Sequence, residues 1–179
     1  MMSISNNFVF KALQIIAWVI FVGLCIEAGG LIINFLFSVF KPEYLGNLYQ
    51  KLDLSSVYQQ NKWIFFGMYS FVITISVLKA HLFYIVITLL RKLDLSNPFS
   101  SYVANKINSI AYYTFSIGVI SHIAKEVTKN MQHHAYEIDK LNDFWVDSQA
   151  FILMAAIVYI IATIFKRGIE LQNENELTI

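Results

Sequence analysis

The sequence predicts an all-α integral membrane protein, a four-helix transmembrane bundle forming one domain of 179 residues. Three observations carry that prediction. Hydrophobic residues make up 57% of the chain and charged residues 14%, against roughly 45–50% and about 25% in an ordinary soluble domain. The apolar residues are gathered into four runs, each near the ~20 residues that cross about 30 Å of hydrocarbon. The runs are continuous, whereas a barrel would alternate in segments of about 10 residues, so helices must satisfy the backbone in lipid.

The first span is placed at residues 12–36, with apolar character continuing to Phe40 and a single formal charge, Glu27. Lys11 followed by an apolar stretch resembles the start of a signal peptide. The stretch resumes after Gly29 and Gly30, however, past any small-residue cleavage point, so a retained span is expected. The second span, residues 63–90, contains Lys79 and His81. The third and fourth, 107–124 and 148–165, contain no Asp, Glu, Lys or Arg. Asn97-Pro98 reads as an N-cap followed by proline at the first helical position, opening the third helix. Residues 166–179 form a short tail.

An even number of spans puts both ends on one side. That side holds Arg91-Lys92 and Lys166-Arg167, both abutting span ends, and both arginines of the chain. Both termini are therefore expected in the cytoplasm. Residues 41–62 and 125–147 would then face outward. Lys51-Leu-Asp-Leu-Ser55 recurs as Lys92-Leu-Asp-Leu-Ser96, on opposite sides of the membrane in this topology.

Composition also excludes classes. A net charge of +1 offers no field for direct nucleic-acid binding, and one cysteine, Cys25, rules out a disulfide framework or thiol metal cluster within one chain. No Gly-rich phosphate loop, dinucleotide fingerprint or Gly-x-Ser-x-Gly elbow occurs. The expectation is a non-enzyme with no catalytic residues, cofactor or metal.

Four intramembrane polar residues are candidates for function: Glu27, Asn34, Lys79 and His81. Glu27 lies roughly 22 Å into the first helix at 1.5 Å per residue. Gly23, Glu27, Gly30 and Asn34 follow steps of four, three and four, sharing one face of the kind that packs on neighbouring helices. Lys79 sits at a depth where an ion pair with Glu27 is geometrically open, and buried charges pair or face water. A snorkelling lysine and a proton- or ion-coupled site are the alternatives. His81 lies about 200° around the helix from Lys79. Ser70, Thr74, His81 and Thr88 form one polar stripe, and Ser109, Tyr113 and Ser116 another, suited to interhelical hydrogen bonds. His122-x-x-x-Glu126 and His133-His134-x-x-Glu137 could meet a metal only on a helix, and no His-Glu-x-x-His motif is present.

The C-terminal phrase Phe165-Lys166-Arg167-Gly168-Ile169-Glu170-Leu171-Gln172-Asn173-Glu174, followed by Leu177-Thr178, resembles the C-terminal signature of the bacterial domain-of-unknown-function family DUF2975. The Asn97-Pro98-Phe99 opening, the span count and the length are similar too. Members of that family are small four-span membrane proteins, often encoded beside a very small helix-turn-helix transcription regulator. The resemblance implies a membrane partner or sensor for such a small cytoplasmic DNA-binding regulator. Arg167, Gly168, Glu170, Leu171, Gln172, Glu174, Leu177 and Thr178 would be the docking residues. Besides the lipid bilayer and that regulator, a homo-oligomer is an expected partner. The rival readings are a small ion- or proton-coupled transporter or channel component using Glu27 and Lys79, and a membrane immunity protein.

Overall fold

A computed structural model describes residues 4–40, 54–93, 98–134, 136, 138–145 and 147–176. The described residues are almost entirely helical: α1 (Ile4–Phe40), α2 (Ser55–Gln60), α3 (Lys62–Lys92), α4 (Ser101–His133), a 3-10 turn (Asp139–Phe144) and α5 (Ser148–Glu176). Three stretches are long and apolar enough to cross a membrane: Phe8–Phe40, Lys62–Lys92 and Asp139–Glu174. The helix α4 matches them in length but is less apolar. Its buried positions are small or hydroxylated, including Ala111, Thr114, Gly118, Ser121 and Thr128. A helix flanked by protein on two sides needs less hydrophobicity than one bathed in lipid.

Local chemistry sets the helix ends. The Asn61 side chain accepts from the Trp63 and Ile64 backbone N–H groups at 2.9 and 3.4 Å, opening α3. Arg91 and Lys92 close it, facing the negative end of the helix dipole. The opening of α4 corrects the sequence reading. Its cap is Ser100, whose hydroxyl accepts from Val103 N at 3.3 Å. Pro98 precedes that cap, with its carbonyl accepting from Ser100 N, and Asn97 lies outside the described residues. A proline before the helix forfeits no intrahelical bond, so the cap falls to the next hydroxyl. The repeated Lys-Leu-Asp-Leu-Ser segments fall mostly outside the described residues.

Packing is sequential in space. Among the described residues α1 packs on α3, α3 on α4 and α4 on α5, with no comparable contact joining α1 to α5. The helices therefore form an open series, not a bundle closed on itself. The edge helix α1 meets α3 through a seam with steps of four and three: Ala17, Phe21, Leu24, Ala28, Leu31, Phe35 and Ser38 are all buried or half-buried. On α5 the buried Ser148, Ala155 and Ala162 recur every seven residues, a small-residue seam that lets α4 approach closely.

The described parts of the segments read as outward loops contribute to the core. Leu54 at the N-cap of α2, Val57 within it, and Ile138, Leu141 and Trp145 around the 3-10 turn join Phe65, Tyr69 and Leu31 in one buried cluster. Tyr58, Phe65 and Phe66 stack edge to face there, with ring centroids 5.2–6.3 Å apart. This capped end of the molecule lies opposite a basic end, where α3 stops, α4 starts and α5 leaves the apolar stretch.

Candidate functional site: the membrane interior and the basic end

The interior polar residues are distributed over different faces. Lys79 points its ammonium over the Phe151 ring of α5, 5.8 Å from the centroid. The Glu27–Lys79 pair that depth alone left open is not among the salt bridges found in the described residues. The reason is angular. Tyr69 and Tyr84 of α3 meet Phe35 and Phe21 of α1, whereas Lys79 lies on the face turned to α5. His81 is exposed on a third side, its ring 4.6 Å from Tyr113 of α4.

The face of Gly23, Glu27, Gly30 and Asn34 is not the packing seam of α1 either. The seam runs one residue further along, through Leu24, Ala28, Leu31 and Phe35. Glu27, Gly30 and Asn34 sit half-buried at its margin, and a Cβ on Gly23 would meet nothing within 4 Å. With one neighbouring helix to satisfy, α1 turns its larger apolar side chains inward. Asn34 and the Tyr69 hydroxyl lie buried beside each other at the capped end of the α1–α3 contact, within reach of one another but without a well-aligned hydrogen bond.

The hydroxyl stripes also resolve differently from the sequence expectation. Ser70, Thr88, Ser109, Thr114 and Ser116 each donate to a carbonyl three or four residues back in their own helix. In a dry environment that acceptor is always within reach, so no partner helix is needed. The Tyr102 hydroxyl does cross between helices, donating to the Thr88 carbonyl at 3.3 Å.

The histidine segments gather no ligand set. Glu126 accepts from Lys129 at 2.9 Å, and that ammonium holds its carboxyl below the ordinary carboxylate range. His134 Nδ1 lies 2.9 Å from the Asn130 carbonyl, and Glu137 is outside the described residues. Among the described residues no three His, Cys, Asp or Glu side chains converge on a common point.

At the basic end the tail is anchored. Helix α5 continues without interruption from the apolar stretch through Lys166 and Arg167 to Glu176. The Phe99 ring packs on Phe165, with centroids 5.3 Å apart, and covers Gly168 so closely that a Cβ there would stand 2.7 Å from Cδ1. Beside it, Lys92 of α3 and Lys106 of α4 place their ammonium groups 5.1 and 5.8 Å from the Tyr102 ring centroid. Arg167 donates to Glu170 at 2.6 Å, and beyond that pair Leu171 is 55% exposed and Glu174 is exposed. Gln172 is half-buried; Leu177 and Thr178 lie outside the described residues. Sequence reasoning missed the Phe99–Gly168 lock, although both residues belong to the phrases that carry the family resemblance.

The lock makes a local prediction. Gly168→Leu displaces Phe99, which is 41% exposed and free to swing outward. Global stability should fall by no more than ~1 kcal/mol, because the ring retreats toward solvent rather than into a packed core. Limited proteolysis should nonetheless cut the tail several-fold faster, reporting local opening. Unchanged cleavage would mean that Phe99 does not hold the tail.

No curated protein and no solved structure matches the chain. The family model described as "Protein of unknown function (DUF2975)" matches residues 47–179, well over half of the chain and every described residue beyond α1. The C-terminal phrase, the Phe99 opening and the helices that hold them together lie within that match, and the chain belongs to the DUF2975 family.

Proposed function

We propose that this chain is a four-span, non-enzymatic protein of the bacterial inner membrane that docks a small cytoplasmic helix-turn-helix regulator on its basic end. The observation that carries the reading is the tail. Helix α5 leaves the apolar stretch as a continuous helix, braced by Phe99 at Gly168, and carries the exposed Leu171 and Glu174 beyond that brace. Bracing matters because a preordered helix binds without the cost of ordering a loose tail.

In this reading α4 is the fourth span, shielded from lipid by α3 and α5. Arg91, Lys92, Lys106, Lys166 and Arg167 at one end favour a cytoplasmic position for that end and for both termini. The capped end, with its packed α2 and 3-10 turn, would then face the envelope as a rigid sensing surface. The coupled-transport reading loses support, since Glu27 and Lys79 occupy different faces and line no common path.

The test is in-cell crosslinking followed by mild-detergent capture of the full chain, a version ending at Arg167, and Gly168→Leu. A protein carrying a helix-turn-helix motif should be recovered with the full chain, lost with the shortened one and reduced with Gly168→Leu. Equal recovery with all three would overturn the proposal.

A further inference from the structure

Helices α3, α4 and α5 leave a groove of about 480 Å3 between them, within the range of roughly 300–1,000 Å3 typical of ligand sites. Phe83 and Val86 of α3 form one wall and Met154 and Val158 of α5 the other, with Thr114 of α4 at the floor. The walls are apolar along their length. Charge gathers at the capped end alone. Asp147, exposed just before α5, lines that mouth. One helical turn deeper is Phe151, whose N–H donates to the Asp147 carbonyl at 3.1 Å and whose ring carries the Lys79 ammonium 5.8 Å from its centroid. Among the described residues neither Asp147 nor Lys79 forms an ion pair.

From the capped end along the groove the order is therefore the Asp147 carboxylate, then the Lys79 ammonium beside Phe151 at the groove's edge, then hydrocarbon. We propose that this groove seats one phospholipid with a primary-ammonium headgroup, of the phosphatidylethanolamine class, from the leaflet on the capped side. The lipid's ammonium meets Asp147, its phosphate meets Lys79, and one acyl chain runs between the Phe83–Val86 and Met154–Val158 walls. Complementarity selects this class. A headgroup with phosphate alone would leave a negative charge opposite Asp147, and a fatty acid would leave Asp147 without a cation. A cation at the depth of Lys79 is costly without a counter-ion, and the phosphate supplies one. Free phosphate would answer Lys79 but leave the apolar walls uncovered.

Native mass spectrometry of the full chain, released from detergent after titration with dioleoyl phosphatidylethanolamine or dioleoyl phosphatidylglycerol, tests the assignment. The ethanolamine lipid should be retained about fivefold better, the contribution of one interfacial charge. Asp147→Asn should bring that ratio to about one, while Lys79→Met should weaken both lipids. Met154→Trp should reduce both by filling the groove. Met154 is 54% exposed, so this variant leaves the helix contacts intact and remains informative if Lys79→Met fails to fold. Equal retention of the two lipids by the unaltered chain would overturn the proposal. So would ethanolamine-lipid binding indifferent to Met154→Trp, the mark of adventitious annular lipid. A lipid-free dimer lost on Met154→Trp would overturn it too, assigning the groove to a second copy of the chain.

Discussion

Trp145→Ala is expected to destabilise the protein by about 3–5 kcal/mol, the range for emptying a buried tryptophan site. Trp145 is 1% exposed, follows the 3-10 turn and is the largest fully buried side chain among the described residues. It belongs to the same buried cluster as Ile138, Leu141, Phe65 and Tyr69, its ring meets that of Phe144, and its indole N–H donates to Asn142 at 3.3 Å. The effect should be large because this core joins the capped end to α3 and α4, and a void there forfeits close-packed contacts on every side. Thermal unfolding in a mild detergent, followed by near-ultraviolet circular dichroism, would report it. Trp145→Phe should recover much of the loss. A Trp145→Ala protein melting within a degree or two of the parent would mean that the cap is not integral to the fold.

Gly118→Val is expected to be the most damaging single change within the helical layer. A Cβ at position 118 would stand 2.7 Å from Ile152 Cγ1, 3.2 Å from Phe151 Cβ and 2.9 Å from the Ile152 backbone nitrogen. The Ile152 side chain could turn away, but the backbone of α5 could not. Relief requires moving α5 off α4, against the seam of Ser148, Ala155 and Ala162 that brings the two helices together. Overpacking of this kind costs about 1–3 kcal/mol, with the upper end expected where backbone must move. Gly23→Ala provides the contrast. Nothing lies within 4 Å of a Cβ there, and alanine is favoured over glycine in a helix by up to ~1 kcal/mol. Denaturant midpoints for the pair should therefore move in opposite directions or, for Gly23→Ala, not at all. Equal effects would mean that α4 and α5 are not in close contact at Gly118.

Family membership and the helical architecture were both legible in the sequence, for different reasons. The tail phrase from Phe165 to Thr178 is a specific string, and the family match covers it. The helices follow from continuous apolar runs, which leave the backbone no other way to satisfy itself in lipid. The capped end was not legible. Leu54, Val57, Ile138 and Trp145 are scattered among polar neighbours in segments whose average composition reads as loop, and their burial arises from contacts distant in sequence. The Phe99–Gly168 lock was hidden in the same way, since its two halves lie 69 residues apart.

The sequence alone determined where the long helices run, how deep each polar residue lies along its helix axis, and which residues share a face. Those properties follow from chain length, rise per residue and the 3.6-residue period. Only the tertiary structure decided which face meets which neighbour. It turned Lys79 toward Phe151 and away from Glu27, shifted the α1 seam by one residue, and left the helices as an open series with a charged-mouthed groove. In a soluble helix, hydropathy marks the buried side. In a membrane, the lipid-facing and protein-facing sides are both apolar, so orientation is settled by close packing of small and large side chains across the interface.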